Sequence, residues 1–293
     1  MTLKQLFERA KLVKQRLQEE ESSERFREWL SRAKDVWKSY KPSKVEKKVA
    51  AIDSGWNYRT YCGFYLYAIR AVAVAQSSET VTDPIVDVDI LPMEDDGSGI
   101  SPELYIQGIA ECYEHDLASK VANLLDIVLV DGSILARLNA MRTLSRVKLF
   151  REYAVYVRPL KNAKNILFVS KYSQDRSLVH GALGDVYYIN RVTNDIGYTE
   201  PITFERDGMT ISVFYVRLSK NSDAIHVEVP AIVDLEYVRS VIDALYNTAV
   251  KGYPYALMVA HEIASLPNDF MDMISEVAGL SVLPTAREVL EVG

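Results

Sequence analysis

Two short stretches, Val49-Ala-Ala-Ile-Asp53-Ser-Gly55 and Asp126-Ile-Val-Leu-Val-Asp131-Gly-Ser133, decide how this chain is read. In each, an apolar run stops on an aspartate followed by serine and glycine. A short, wholly apolar run bounded by turn formers is the pattern of a strand buried on both faces. Each stretch therefore reads as a buried strand that ends on a carboxylate at a tight turn. Either alone is an ordinary turn. If the two strands are neighbours in one sheet, two carboxylates meet at its edge, placed to bind divalent metal.

Outward from these stretches, the first 40 residues read as helix. Leu3, Leu6, Phe7, Ala10, Val13 and Leu17 keep helical spacing, and Phe26, Trp29, Leu30, Ala33, Trp37 and Tyr40 resume it. Pro42 ends this region. The aromatic and β-branched run 62–75 reads as a long strand, and Ile85 to Leu91 as a strand with one polar face. Leu104 to Leu125 reads as a helix with Ser101 as its cap, and Leu135 to about Tyr156 reads as helical. Ile166 to Ser170 is another short strand. The stretch from Gly184 to Pro230 reads as mostly antiparallel strands, Val233 to Val250 and Tyr255 to Ala264 as helices, with a final helix from about Asn268. The fold class expected is α/β: a mixed sheet flanked by helices, with an N-terminal helical extension over 1–44 and one domain over 45–293.

A chain of 293 residues can bury a large core, and its 48% apolar and 25% charged residues are ordinary for a soluble globular protein. Its apolar runs are shorter than the roughly 18 residues that span a bilayer. The charged N-terminus lacks a signal-peptide core. Cys62 and Cys112 are the two cysteines, which excludes a disulfide framework and a cysteine-based zinc site and suits the cytoplasm.

Net charge is −6, which taken alone argues against nucleic acid, but the charge is segregated. Glu79 to Asp131 holds thirteen acidic residues against Lys120, and Arg137 to Arg176 holds ten basic residues against Glu152 and Asp175. An acidic block beside a basic one suits a metal site next to a phosphate track. Arg137, Arg142, Arg146 and Lys148 form the expected DNA-backbone stripe, blind to base sequence.

Further ligands come from the surrounding elements. Glu111 and Glu114 are three residues apart and share a helical face leading into the Asp131 strand, so either can reach the sheet edge; Glu114 is preferred and Glu111 the alternate. His261 lies in an apolar helix entry, where a lone histidine is ordinarily structural unless the helix returns to the carboxylates. Asp269 is a second alternate. Lys171, after the strand 166–170, is placed to neutralise a phosphate oxygen.

Together these segments resemble the NurA nuclease family of archaea. The matching pieces are Ala51-Ile-Asp53-Ser-Gly55, Val130-Asp131-Gly-Ser-Ile134, Val169-Ser-Lys171, Gly252-Tyr-Pro-Tyr255 and Ala260-His261-Glu262, in the family's order across residues 45 to 275. The resemblance implies a ribonuclease-H-like core with catalytic and metal-binding Asp53, Glu114, Asp131 and His261, and with Lys171 at the phosphate. It also implies one or two Mn²⁺ or Mg²⁺ ions and a DNase with 5′ to 3′ exonuclease action on single- and double-stranded DNA. Endonuclease action on single strands, a toroidal homodimer, and work beside the hexameric HerA ATPase in DNA end resection follow from the same likeness. The nearest enzymatic rival is an actin- or sugar-kinase-like ATPase, whose phosphate turns Asp-Ser-Gly and Asp-Gly-Ser imitate. The non-enzymatic rival is a DNA-binding clamp subunit.

Overall fold

The wholly apolar runs of the central strands predict a sheet with a core on each side, and a computed structural model describing residues 3–93, 100–143 and 148–280 has that form. Two helices open the chain, α1 (Leu3–Glu21) and α2 (Glu24–Val36), followed by the short strand β1 (Trp37–Ser39). Ser23 caps α2 by accepting from the Phe26 amide. Trp37 thus begins a strand rather than extending the helix as its spacing suggested, because residues 37–39 pair with the sheet. Phe26, Trp29 and Ala33 pack on Tyr188 and Val179, whereas α1 buries none of its residues.

Strands β2 (Val49–Tyr61), β3 (Phe64–Ala75) and β4 (Ile85–Pro92) form an antiparallel meander. Helix α3 (Pro102–Val121) is capped by the Ser101 hydroxyl, as expected, and leads to β5 (Ile127–Asp131), which pairs parallel with β2. Helices α4 (Ile134–Thr143) and α5 (Lys148–Val157) precede β6 (Ile166–Ser170), parallel to β5. The order β4-β3-β2-β5-β6, with the first three antiparallel and the next two parallel to β2, is a ribonuclease-H-like arrangement.

The segment from Gly184 to Pro230 is mostly antiparallel strand, as expected, but it opens on a helix. Helix α6 (Asp185–Val192) comes first, with Asp185, Tyr188 and Ile189 buried at helical spacing. Its aromatic and β-branched residues imitate a strand, but their burial repeats every three to four residues. Then come β7 (Gly197–Thr199), β8 (Ile202–Arg206), β9 (Met209–Arg217) and β10 (Ile225–Val229), which together with β1 extend the sheet beyond β6 to ten strands among the described residues. Helix α7 (Leu235–Leu245), a hairpin of β11 (Ala249–Val250) and β12 (Tyr253–Pro254), α8 (Tyr255–Ala264) and α9 (Asn268–Val277) complete the chain.

Val49, Ala51, Leu129, Leu167 and Val227 pack under α7 and α8, while Ile52, Val128, Val130 and Phe168 pack under α3, α4 and α5. The two faces define where a site can be built. No helix among the described residues is long and apolar enough to cross a membrane.

Candidate active site

Asp53 and Asp131 lie on neighbouring parallel strands. The pairing of Ile52 with Val130 sets them side by side at the carboxyl end of β5. Asp131 ends its strand as its sequence suggests, and the turn that follows needs Gly132, whose φ is +100°. Asp53 does not end its strand. β2 runs through Ser54 and Gly55 to Tyr61. Gly55 serves a close approach instead of a turn: a Cβ there would lie 2.1 Å from the Ala264 carbonyl oxygen. The bare backbone of β2 lets the end of α8 settle against it.

That contact carries α8 back to the carboxylates. His261 Nδ1 lies 2.8 Å from Asp53 Oδ2. Oxygen or nitrogen atoms of Asp53, Asp131 and His261 all fall within 4.8 Å of one another. Asp53 is buried, Asp131 is partly buried, and the His261 side chain is 76% exposed, so the cluster is anchored in the sheet and opens to solvent. Burial, and then the charge of Asp131, raise the Asp53 carboxyl above its usual range; the His261 contact and the Ser54 amide partly offset this. Two crowded carboxylates with an imidazole are a donor set for a hard divalent cation such as Mn²⁺ or Mg²⁺. The Tyr253 hydroxyl donates to Asp131 Oδ1 at 3.1 Å, and the Lys171 ammonium lies 6.0 Å from the Tyr253 ring centre. Lys171 is exposed beside the cluster.

Glu114 is not brought into this group. Buried on α3, it accepts from the Ser54 hydroxyl at 2.5 Å and pairs with Arg137 Nη2 at 2.8 Å. Burial pushes its carboxyl up to about 8 against the pull of Arg137. Glu111 also faces Arg137, at 3.4 Å from Nε. Asp269 is exposed at the start of α9 and stands outside the cluster.

The basic stripe is corrected at its first member. Arg137 is no surface residue: its side chain is 10% exposed, closed in by Glu111, Glu114 and the Phe168 ring. A guanidinium so placed faces two buried acids and has none of its fork left for DNA. Arg146, and the side chains of Arg142 and Lys148, lie outside the described residues. Sequence reasoning also passed over Tyr253 and Ser54. Both lay inside quoted motifs, Tyr253 in Gly252-Tyr-Pro-Tyr255 and Ser54 beside the key aspartate, but neither was given a role.

A profile of the NurA domain matches residues 47–266, well over half of the chain. The chain belongs to the NurA family. The DNA double-strand break repair nuclease NurA of Saccharolobus solfataricus is 28% identical over 111 residues, a match spanning 33% of this chain and 33% of that protein. The crystal structure of the NurA nuclease from Sulfolobus solfataricus superposes with a TM-score of 0.78 at 21% identity, covering 95% of this chain and 97% of that one. A NurA crystal structure bound to dAMP and manganese gives a TM-score of 0.68 at 12% identity, covering 99% of this chain and 100% of that one. At such identities the structural likeness establishes the NurA fold alone. The actin- or sugar-kinase reading loses its first phosphate turn, since Ser54 and Gly55 continue a strand.

Proposed function

We propose that this NurA-family protein is a divalent-metal-dependent deoxyribonuclease. The observation that carries the reading is the meeting of Asp53, Asp131 and His261 within 4.8 Å at the end of a ribonuclease-H-like sheet. Asp53 and Asp131 would hold the ion, with His261 as the exposed third ligand. A divalent ion held there lowers the pKa of a water and polarises a phosphodiester. Lys171, on the open side, steadies phosphate charge, and its neighbour Tyr172, 84% exposed, offers a ring face to an unpaired base. Tyr253 holds Asp131 by its hydroxyl. Glu114 keeps Ser54 in place beside Asp53.

The finer activity we propose is 5′ to 3′ exonuclease action on single- and double-stranded DNA, with endonuclease action on single strands. The setting is DNA end resection by a homodimer beside a HerA-type hexameric ATPase. Support comes from family membership and from the likeness to a DNA double-strand break repair nuclease. The exposed Leu3, Leu6, Phe7, Val13 and Leu17 of α1 supply an apolar stripe for such assembly. End-labelled DNA incubated with the protein and Mn²⁺ is expected to be degraded, with EDTA stopping the reaction and Asp53→Ala and Asp131→Ala abolishing it. Cleavage by both variants at the wild-type rate refutes the assignment. Binding of DNA without any loss of label supports the clamp-subunit reading instead.

A further inference from the structure

Among the described residues, the Arg137 guanidinium touches both halves of the site from behind. Its Nη2 donates to the backbone carbonyl of Asp131 at 2.8 Å and lies 2.8 Å from Glu114 Oε2. Glu114 Oε1 accepts from the Ser54 hydroxyl at 2.5 Å, and the Ser54 amide donates to Asp53 Oδ1 at 2.8 Å. One arm therefore ends directly on the Asp131 residue, and the other reaches the Asp53 carboxylate through Glu114 and Ser54. The strand alternation explains the geometry. Ile52 faces the α3 side of the sheet, so Ser54 does too, while Asp53 and Asp131 face the α8 side.

The guanidinium itself is fixed from every direction. Glu111 lies 3.4 Å from Nε, His115 Nε2 lies 3.2 Å from Nη1, and Phe168 places its ring 5.8 Å from Cζ. Helix α4, which carries Arg137, is seated by Glu228 of β10. Its carboxylate accepts from the Ser133 hydroxyl at 2.6 Å and the Leu135 amide at 3.0 Å, at the helix start where negative charge is favoured. A buried arginine between two acids adds little net stability compared with apolar packing, so stability alone gives this arrangement little purpose.

We propose that Arg137 is a positioning residue that sets the spacing of Asp53 and Asp131 and so the affinity of the site for its divalent ion. The inference rests on the deoxyribonuclease reading for the site's purpose, though not for its test. The whole guanidinium is what matters: Nη2 is aimed at both the Asp131 carbonyl and Glu114 while Nε and Nη1 face Glu111 and His115, and the single nitrogen of a lysine cannot engage all four at once.

The test is titration of metal-free protein with Mn²⁺, followed by the loss of the free-ion electron paramagnetic resonance signal, for wild type, Arg137→Lys, Arg137→Gln and Ser54→Ala. Residues that orient metal ligands without touching the ion change metal affinity by about ten- to a hundredfold. Both Arg137 variants are expected to show that loss, and Ser54→Ala, which severs one arm and leaves the buried charges alone, a smaller one in the same direction. Dissociation constants indistinguishable from wild type in Arg137→Lys and Ser54→Ala overturn the proposal, even if the melting temperature falls. A lysine variant that binds Mn²⁺ normally while the glutamine variant does not overturns it as well, since charge alone then suffices. Arg137→Gln is the variant most exposed to misfolding, and Ser54→Ala with Arg137→Lys decide the matter without it. Absence of DNA cleavage by the wild type is a separate result, against the nuclease reading, and leaves the affinity comparison standing.

Discussion

His261 and Asp53 are 208 residues apart in sequence, yet Nδ1 and Oδ2 meet at 2.8 Å. The histidine side chain is mostly in solvent and the aspartate is buried, so the pair joins an exposed donor to a buried one. His261→Ala should therefore leave stability within about 0.5 kcal/mol of wild type, as surface substitutions do. Loss of a ligand costs no less than loss of a residue orienting one, so Mn²⁺ binding should weaken by at least about tenfold. Thermal melts beside a metal titration check both halves; a large stability loss with unchanged metal affinity is the contrary outcome.

Gly55→Ala tests how that meeting is built. The new Cβ would fall 2.1 Å from the Ala264 oxygen and 2.7 Å from its carbon, both backbone atoms that cannot swing aside. Strand β2 and the end of α8 must part. A destabilisation of about 1 to 3 kcal/mol is expected, the range for overpacking. His261 lies one helical turn before Ala264, so DNA cleavage should fall further than the fraction unfolded accounts for. Urea melts with parallel activity assays decide it.

Asp53 should limit the stability of the metal-free protein. Burial first, and the Asp131 charge second, raise its carboxyl above the usual range. The stability such a group contributes is complete below its unfolded pKa, about 3.9, and is lost as pH rises through the folded value. Chelator-treated Asp53→Asn should thus melt above wild type at neutral pH, with the gap closing as pH falls below about 4. Equal melting temperatures at neutral pH would count against this account.

Asp175 should behave in the opposite sense. Burial opposes its ionisation, but the interactions with His226, Ser177 and Tyr215 outweigh burial and hold the carboxyl well below its usual range. Stability from a depressed carboxyl is present above the unfolded pKa and lost as pH falls through the folded one. Asp175→Ala should cost about 2 kcal/mol at neutral pH, the scale of a charged hydrogen bond. That deficit should shrink in acid. Urea melts across a pH series give the answer, and a deficit that grows toward acid would contradict it.

Much of this site is visible in the chain, though not for one uniform reason. Asp131 is legible because an apolar run, an aspartate and a glycine at φ +100° all agree on a strand end. Asp53 was found by the same reasoning with the wrong local structure, because glycine marks both turns and close backbone approach, and only packing tells them apart. Helix α6 was hidden behind residues of high strand propensity, though Asp185, Tyr188 and Ile189 carried the helical period. Arg137 was misplaced because counting charges along a chain treats each as solvated. The clue was the pair Glu111 and Glu114 on one helical face, which needs a cation once that face is buried.

The register of β2 against β5 also dictates where the chain tolerates a change of length. With Ile52 opposite Val130, one extra codon between 49 and 53 would turn the first carboxylate to the far side of the sheet. The hairpin tip at Gly63 has open space around it and can accept such an insertion without disturbing either aspartate. Natural length variation among relatives is thus expected to gather at that tip and to spare the two short apolar runs.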